Sequence, residues 1–194
     1  SIDRNSQSEY GWTAFHMASI AGNTDLVKCF IENANALNID LNVKSLKGKT
    51  AFHMACEKSH LDIVEIFLEN AAALNIDLNA KFNTSWTGFH YACAMGHVNV
   101  VKMFMEKAAT LGIDLNANSN SFNNTGFHMA CLKGHTNVVN IFLENAANLS
   151  IDLNRRNKNG HTAFYLAYKK GKSDVVKIIT KNATVDLSNW FISF

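Results

Sequence analysis

Histidine is the residue whose type and spacing here most invite chemistry. Seven of the eight histidines fall into two rows, His16, His53, His90 and His128, and His60, His97 and His135. Imidazole can ligate a metal or act as a general base. A zinc site, however, needs its ligands about 2 Å from the ion, and a row whose members stand one packed helix apart, roughly 8–10 Å, cannot share one. A structural role is therefore expected of the histidines. Cys56, Cys93 and Cys131 form a third row, whose spacing also exceeds the ~7 Å between Cα atoms that a disulfide tolerates. With Cys29 they read as small hydrophobes of a reducing compartment, with the cytoplasm as default. Ser, His and Asp are plentiful, but the chain has no G-x-S-x-G elbow, H-E-x-x-H, P-loop or G-x-G-x-x-G. Acids of the Glu69 and Asp77 type recur in most units, which is not how one active site is built. The expectation is no enzyme, no catalytic residue, no cofactor and no metal.

What positions these rows is a repeat. Thr50-Ala-Phe-His-Met-Ala-Cys56 returns from Thr13, Thr87, Thr125 and, with Tyr for His, Thr162, at spacings of 37, 37, 38 and 37 residues. Such a period marks an array in which each unit buries its apolar face only against its neighbours. One domain over 1–194 is expected, with units beginning near 13, 50, 87, 125 and 162. Asp3 stands ten residues before Thr13, as Asp40 does before Thr50, so residues 1–12 read as the tail of a preceding unit. With 47% hydrophobic and 18% charged residues the chain should fold around a continuous core and remain soluble. A formal charge of +2 argues against nucleic acid or an acidic membrane as the main partner, and no apolar run is long enough for a membrane span.

Within a unit, Phe52, Ala55 and Cys56 make the i, i+3, i+4 stripe of a short helix capped by Thr50. It should stop at Gly96-His97 and Gly134-His135, where Gly takes the left-handed conformation, and Ser59 should do the same with strain. A second helix is expected from about Asp62 through Leu74, with Asp25, Asp62 and Asp174 in first turns. Asn38, Asn75, Gly112 and Ser150 then mark a left-handed cap. Ile-Asp-Leu-Asn and a polar stretch follow, reading as an extended, hairpin-like finger.

Thr-x-Phe-His-x-Ala, Gly-His, Val-Val, Phe-Leu-Glu and Asp-Leu-Asn, in that order, resemble the ankyrin repeat from Asp3 to Leu187. The resemblance implies an all-α solenoid of helix-turn-helix units with finger loops. Two departures stand out. The family's Pro after Thr is Ala or Gly throughout, and the first four units carry about four extra residues between Glu69 and Asp77, one helical turn. The last unit lacks three of these. Residues 187–194, with Trp190, Phe191, Ile192 and Phe194, either cap the stack or form a cut end.

The resemblance further implies a non-catalytic scaffold, monomeric, that binds a protein or peptide on its concave helix and finger face and inserts into no membrane. Carried over unit by unit, the contact positions are Tyr10, Trp12 and Ile20; then Leu46, Lys47, Lys49, Glu57 and Lys58; Asn83, Thr84, Trp86, Ala94 and Met95; Ser121, Phe122, Asn124, Leu132 and Lys133; and Lys158, Asn159, His161, Lys169 and Lys170. Trp12, Leu46, Trp86, Met95, Phe122 and Leu132 form an apolar track that either anchors a partner or packs finger against finger. Arg155, Arg156, Lys158, Lys169, Lys170 and Lys172 make a basic end suited to an acidic segment. Asn42, Asn79, Asn116 and Asn154 occupy the position that an asparaginyl hydroxylase modifies in many ankyrin repeats. The alternatives are a structural or spring-like segment of a larger membrane or cytoskeletal protein, a targeting module of a larger enzyme, and an engineered binder.

Overall fold

A computed structural model describes residues 3–82, 85–119, 122–182 and 185. Among them are ten helices and no strand: α1 Ala14–Ala21, α2 Thr24–Glu32, α3 Ala51–Lys58, α4 Leu61–Asn70, α5 Gly88–Met95, α6 Val98–Leu111, α7 Gly126–Lys133, α8 Thr136–Asn145, α9 Ala163–Lys169 and α10 Ser173–Thr180. The first helices of successive units, α1, α3, α5, α7 and α9, pack in one layer and the second helices in another. The region 187–194, read above as cap or cut end, lies outside the described residues.

Each first helix begins where its threonine, in extended conformation, accepts the backbone N–H three residues on. In four units that third residue is His, and its ring accepts the threonine's own N–H, so imidazole closes a capping box that Glu or Gln more often closes. Gly22, Gly96 and Gly134 then end the helix at positive φ, and Ser59 does so at φ 59°. A side chain there carries left-handed strain that Gly avoids. Ser59→Gly should raise stability by about 0.5–1 kcal/mol, read as a higher urea midpoint at unchanged slope.

The second helices depart from expectation. Only α6 runs the full length, to Leu111, while α2, α4 and α8 end at Glu32, Asn70 and Asn145. One position decides this. Asn33, Asn70 and Asn145 each turn their amide back to the carbonyl four residues earlier, at 2.8 Å. Asparagine thereby competes with the backbone for that acceptor and loosens the last turn. Lys107 holds the same place in the third unit, cannot make that short-range bond, and lets the helix continue. All four units still leave at the same point. Asn38, Asn75, Gly112 and Ser150 are left-handed, and the following Ile39, Ile76, Ile113 and Ile151 N–H groups reach back to Ala34, Ala71, Ala108 and Ala146, as in a Schellman closure.

Between the layers runs a column of phenylalanine. Phe30, Phe15, Phe67, Phe52, Phe104, Phe89, Phe142 and Phe127 touch in that order with ring centroids 5.2–5.8 Å apart. Contributions alternate between first and second helices, so every interface between the first four units is bridged by an aromatic pair. Beside the column lie Cys56, Cys93 and Cys131, all buried free thiols. They also explain two of the family's missing prolines: a Cβ at Gly88 or Gly126 would stand 2.9 Å from the sulfur of Cys56 or Cys93.

Candidate functional site: the finger face

The fingers are turns, each closed at its base by a backbone bond, Ser8 to Trp12, Ser45 to Lys49, Phe82 to Trp86, Ser119 to Asn124 and Asn157 to His161, N–H to carbonyl, and tightened by a second, from the N–H of Gly11, Gly48, Ser85, Asn123 or Gly160 back to the carbonyl of Ser8, Ser45, Phe82, Ser119 or Asn157. Gly11, Gly48, Ser85, Asn123 and Gly160 supply the positive φ each turn needs. Neighbouring fingers are tied by Leu46 N–H to the Tyr10 carbonyl (3.1 Å) and Lys158 N–H to the Phe122 carbonyl (2.7 Å).

The first histidine row fixes these fingers to the helices. Nδ1 of His16, His53, His90 and His128 accepts the N–H of its own unit's threonine at 3.1–3.3 Å. A nitrogen that accepts a backbone N–H carries no proton, so Nε2 holds it and donates to a carbonyl of the next finger, that of Lys49, Trp86, Asn124 or His161. Burial lowers the pKa of His53, His90 and His128 to about 4, and that of His16 below its usual value. The second row ties units in the opposite sense. Nε2 of His60, His97 and His135 reaches the carbonyls of Ile20, Glu57 and Ala94 at the end of the preceding unit's first helix, 2.9–3.0 Å away. The sequence signal for that second tie is the recurring step Ser59-His60, Gly96-His97 and Gly134-His135.

Three contacts put the finger bases and the outer side of the first helices on one surface. Lys49 meets Glu57 of α3 at 2.6 Å; the Trp86 ring meets Tyr91 of α5 at 5.1 Å; and the His161 ring lies 4.3 Å from Tyr165 of α9. On this face Leu46, Tyr10, Phe122 and Met95 are 74%, 65%, 52% and 47% exposed. Lys47, Lys58, Lys133, Lys158, Asn159, Lys169 and Lys170 are exposed too, while Trp12, Ile20, Lys49, Glu57, Trp86, Leu132 and His161 are half-buried. Asn83, Thr84 and Ser121 lie outside the described residues.

Two of the contact positions offer no surface. Ala94 is 3% exposed and belongs to the core, and Asn124 is 6% exposed. The Asn124 side chain accepts from Asn157 and its carbonyl takes the bond from His90. Their positions in the repeat do not by themselves reveal how closely the next unit covers them.

At the centre of the face, side chains satisfy one another. The Lys49 ammonium, paired with Glu57, stands 4.6 Å from the Tyr91 ring and 5.5 Å from Phe82. Burial alone would depress its pKa, but the hydrogen bonds to Glu57 and Tyr91 outweigh that and leave it raised. Trp86 packs on both Tyr91 and His90. Trp86, half-buried, thus has ring neighbours within the array. Tyr91, which organises the cluster, escaped the sequence reading, although it replaces the Met of the other Thr-x-Phe-His-Met copies.

The asparagines of Asp-Leu-Asn form a clamp along another edge. Asn42, Asn79 and Asn116 donate to the carbonyls of Asn75, Gly112 and Ser150 at 2.8–3.0 Å and accept from the N–H of Asp77, Asp114 and Asp152 at 2.8–3.2 Å. Asn5 clamps Asn38 and Asp40 in the same way. The Asn154 N–H is given to the Asp152 carboxylate. With both ends of the amide engaged, a modifying enzyme could reach Asn42, Asn79 or Asn116 only after the clamp opened.

The family model for ankyrin repeats (three copies) matches residues 1–81, 34–119, 69–152 and 111–189. The chain belongs to the ankyrin-repeat family. Repeats of this kind are generally protein–protein interaction modules and typically non-enzymatic. A search of curated proteins found no matching relative. Among the described residues no helix is long and apolar enough to cross a membrane, and no group of three or more His, Cys, Asp or Glu side chains could hold a metal ion.

Proposed function

We propose that the finger face is the docking surface of a non-catalytic scaffold that binds a protein or peptide partner. The observation that carries this reading is the exposure of Leu46, Tyr10, Phe122 and Met95 on a surface where Trp86, by contrast, packs on a neighbour within the array. Large apolar side chains on rigid elements are favoured interface anchors. Chemistry fits the array poorly. Burial pushes the thiols of Cys56, Cys93 and Cys131 well up, which suppresses the reactive thiolate, and both ring nitrogens of each first-row histidine are engaged.

Peptides selected from a random displayed library against the intact chain provide the test. The triple variant Leu46→Ser, Met95→Ser, Phe122→Ser should weaken them by roughly tenfold or more while leaving thermal unfolding nearly unchanged. Unchanged affinity would mean that the partner docks elsewhere. Trp86→Ala is a poor probe of binding, because it also removes the packing on Tyr91.

A further inference from the structure

The near-neutral total conceals a division of charge. Residues 155–182 hold eight of the 18 lysines and arginines and one of the 16 acids, so they carry +7 while the rest of the chain carries −5. We propose that this end of the finger face receives an acidic segment of the partner protein, with an aromatic or aliphatic side chain of that segment seated against Phe122. The proposal rests on the finger face being the docking surface.

The arrangement of the cations supports it. Lys133, Lys158, Lys169 and Lys170 are all exposed. They come from two consecutive first helices and from the finger between them, so one extended chain crossing from unit to unit would meet them in turn. Lys158 gives its backbone N–H to the Phe122 carbonyl, so a lysine and an exposed aromatic residue stand on fingers that touch. Lys169 stands 5.8 Å from the Tyr165 ring, and its charge, after burial, helps hold the His161 pKa below its usual value.

Among the described residues no acid pairs with them. From residue 122 to 173 the acids are Glu144 and Asp152. Glu144 belongs to the outer helix α8, and the Asp152 carboxylate accepts the Asn154 N–H in the clamp. Unit two shows the contrast, since there Lys49 on the finger is satisfied internally by Glu57. Lys169 and Lys170 also oppose the negative end of α9, but that role reaches neither Lys158 nor Lys133. Unpaired like charges on one surface attract a complementary chain and raise its association rate.

The test uses peptides selected as above and a single-stranded DNA oligonucleotide as a competing polyanion. Expected are peptides rich in Asp and Glu around an aromatic or Leu residue, whose affinity falls as salt is raised. Lys158→Glu with Lys169→Glu should lower that affinity by roughly tenfold or more, whereas Lys177→Glu with Lys181→Glu, the same change of charge at the end of α10, should leave it nearly unchanged. Neutral or basic peptides, sensitive to the Leu46, Met95, Phe122 variant only, would overturn the acidic docking and leave the finger-face reading standing. Peptides insensitive to both sets of substitutions, or no selected peptide at all, would count against both. DNA bound more tightly than any acidic peptide would reassign the cations to nucleic acid and overturn the proposal.

Discussion

Acidification from neutral pH to about pH 4 should remove most of the array's stability, and the buried histidine row should carry the loss. The folded pKa values of His53, His90 and His128 are about 4, against an ordinary 6.5. Between those two values the unfolded chain binds protons that the folded chain refuses, so stability rises with pH across this window. The contribution is complete above pH 6.5 and disappears as pH falls through 4. Each shift corresponds to on the order of 3 kcal/mol, and three such groups together rival the whole stability of an ordinary domain, about 5–15 kcal/mol. The geometry gives the same direction independently. A proton on Nδ1 would face the threonine N–H that Nδ1 now accepts, losing that half of the capping box while Nε2 still holds the finger carbonyl. Urea unfolding followed by circular dichroism at a series of pH values should show stability falling with a slope of close to three protons near pH 5. A flat profile between pH 6.5 and 4 would mean that these rings are not buried and neutral. Replacing His90 with Gln should reduce the slope by one proton.

The repeat period made much of this legible. Thr13, Thr50, Thr87, Thr125 and Thr162 cap as their recurrence implies, and the left-handed turns at Ser59, Asn38, Asn75, Gly112 and Ser150 fall where small or polar residues alternate at one register. These are local signals, and a motif seen five times averages out the noise of any one copy. Two kinds of feature resisted. One is competition between nearly equal local options: Asn70 and Lys107 both suit a helix surface, and only the short amide that can reach back to its own backbone decides where α4 stops and α6 continues. The other is contact across the unit boundary. Lys49 with Tyr91, or Asn124 with Asn157, pairs residues whose partners depend on how one unit seats on the next. The candidate site therefore emerges thinner than its register implied. Ala94 and Asn124 leave it, Trp86 turns inward, and Leu46, Met95, Phe122 and the lysines of the fifth unit remain as the exposed part.

Phe104→Ala should divide the array as well as weaken it. Phe104 is fully buried on α6 and its ring touches Phe52 of the second unit at 5.7 Å and Phe89 of its own at 5.4 Å. Truncating a buried Phe costs about 3–5 kcal/mol through lost transfer energy and the cavity left behind. In a solenoid that loss does not spread evenly, because stability is a sum of unit terms and nearest-neighbour interfaces. Removing the ring that bridges units two and three removes an interface term, whereas the interface between units three and four keeps its Phe89–Phe142 pair and unit four its Phe127–Phe142 pair. The variant should therefore unfold in two steps where the parent unfolds in one. Hydrogen exchange should show α1–α4 opening at lower free energy than α7–α9. Phe30→Ala serves as the comparison: it lies at the edge of the column, is only partly buried and meets the column through Phe15 alone among the described contacts. It should lower the midpoint less and leave the transition single. If Phe104→Ala merely shifts a single transition downward, coupling between the halves is carried by the asparagine clamps and histidine ties that cross the same boundary, and Asn79 and His53 become the residues whose removal should split it.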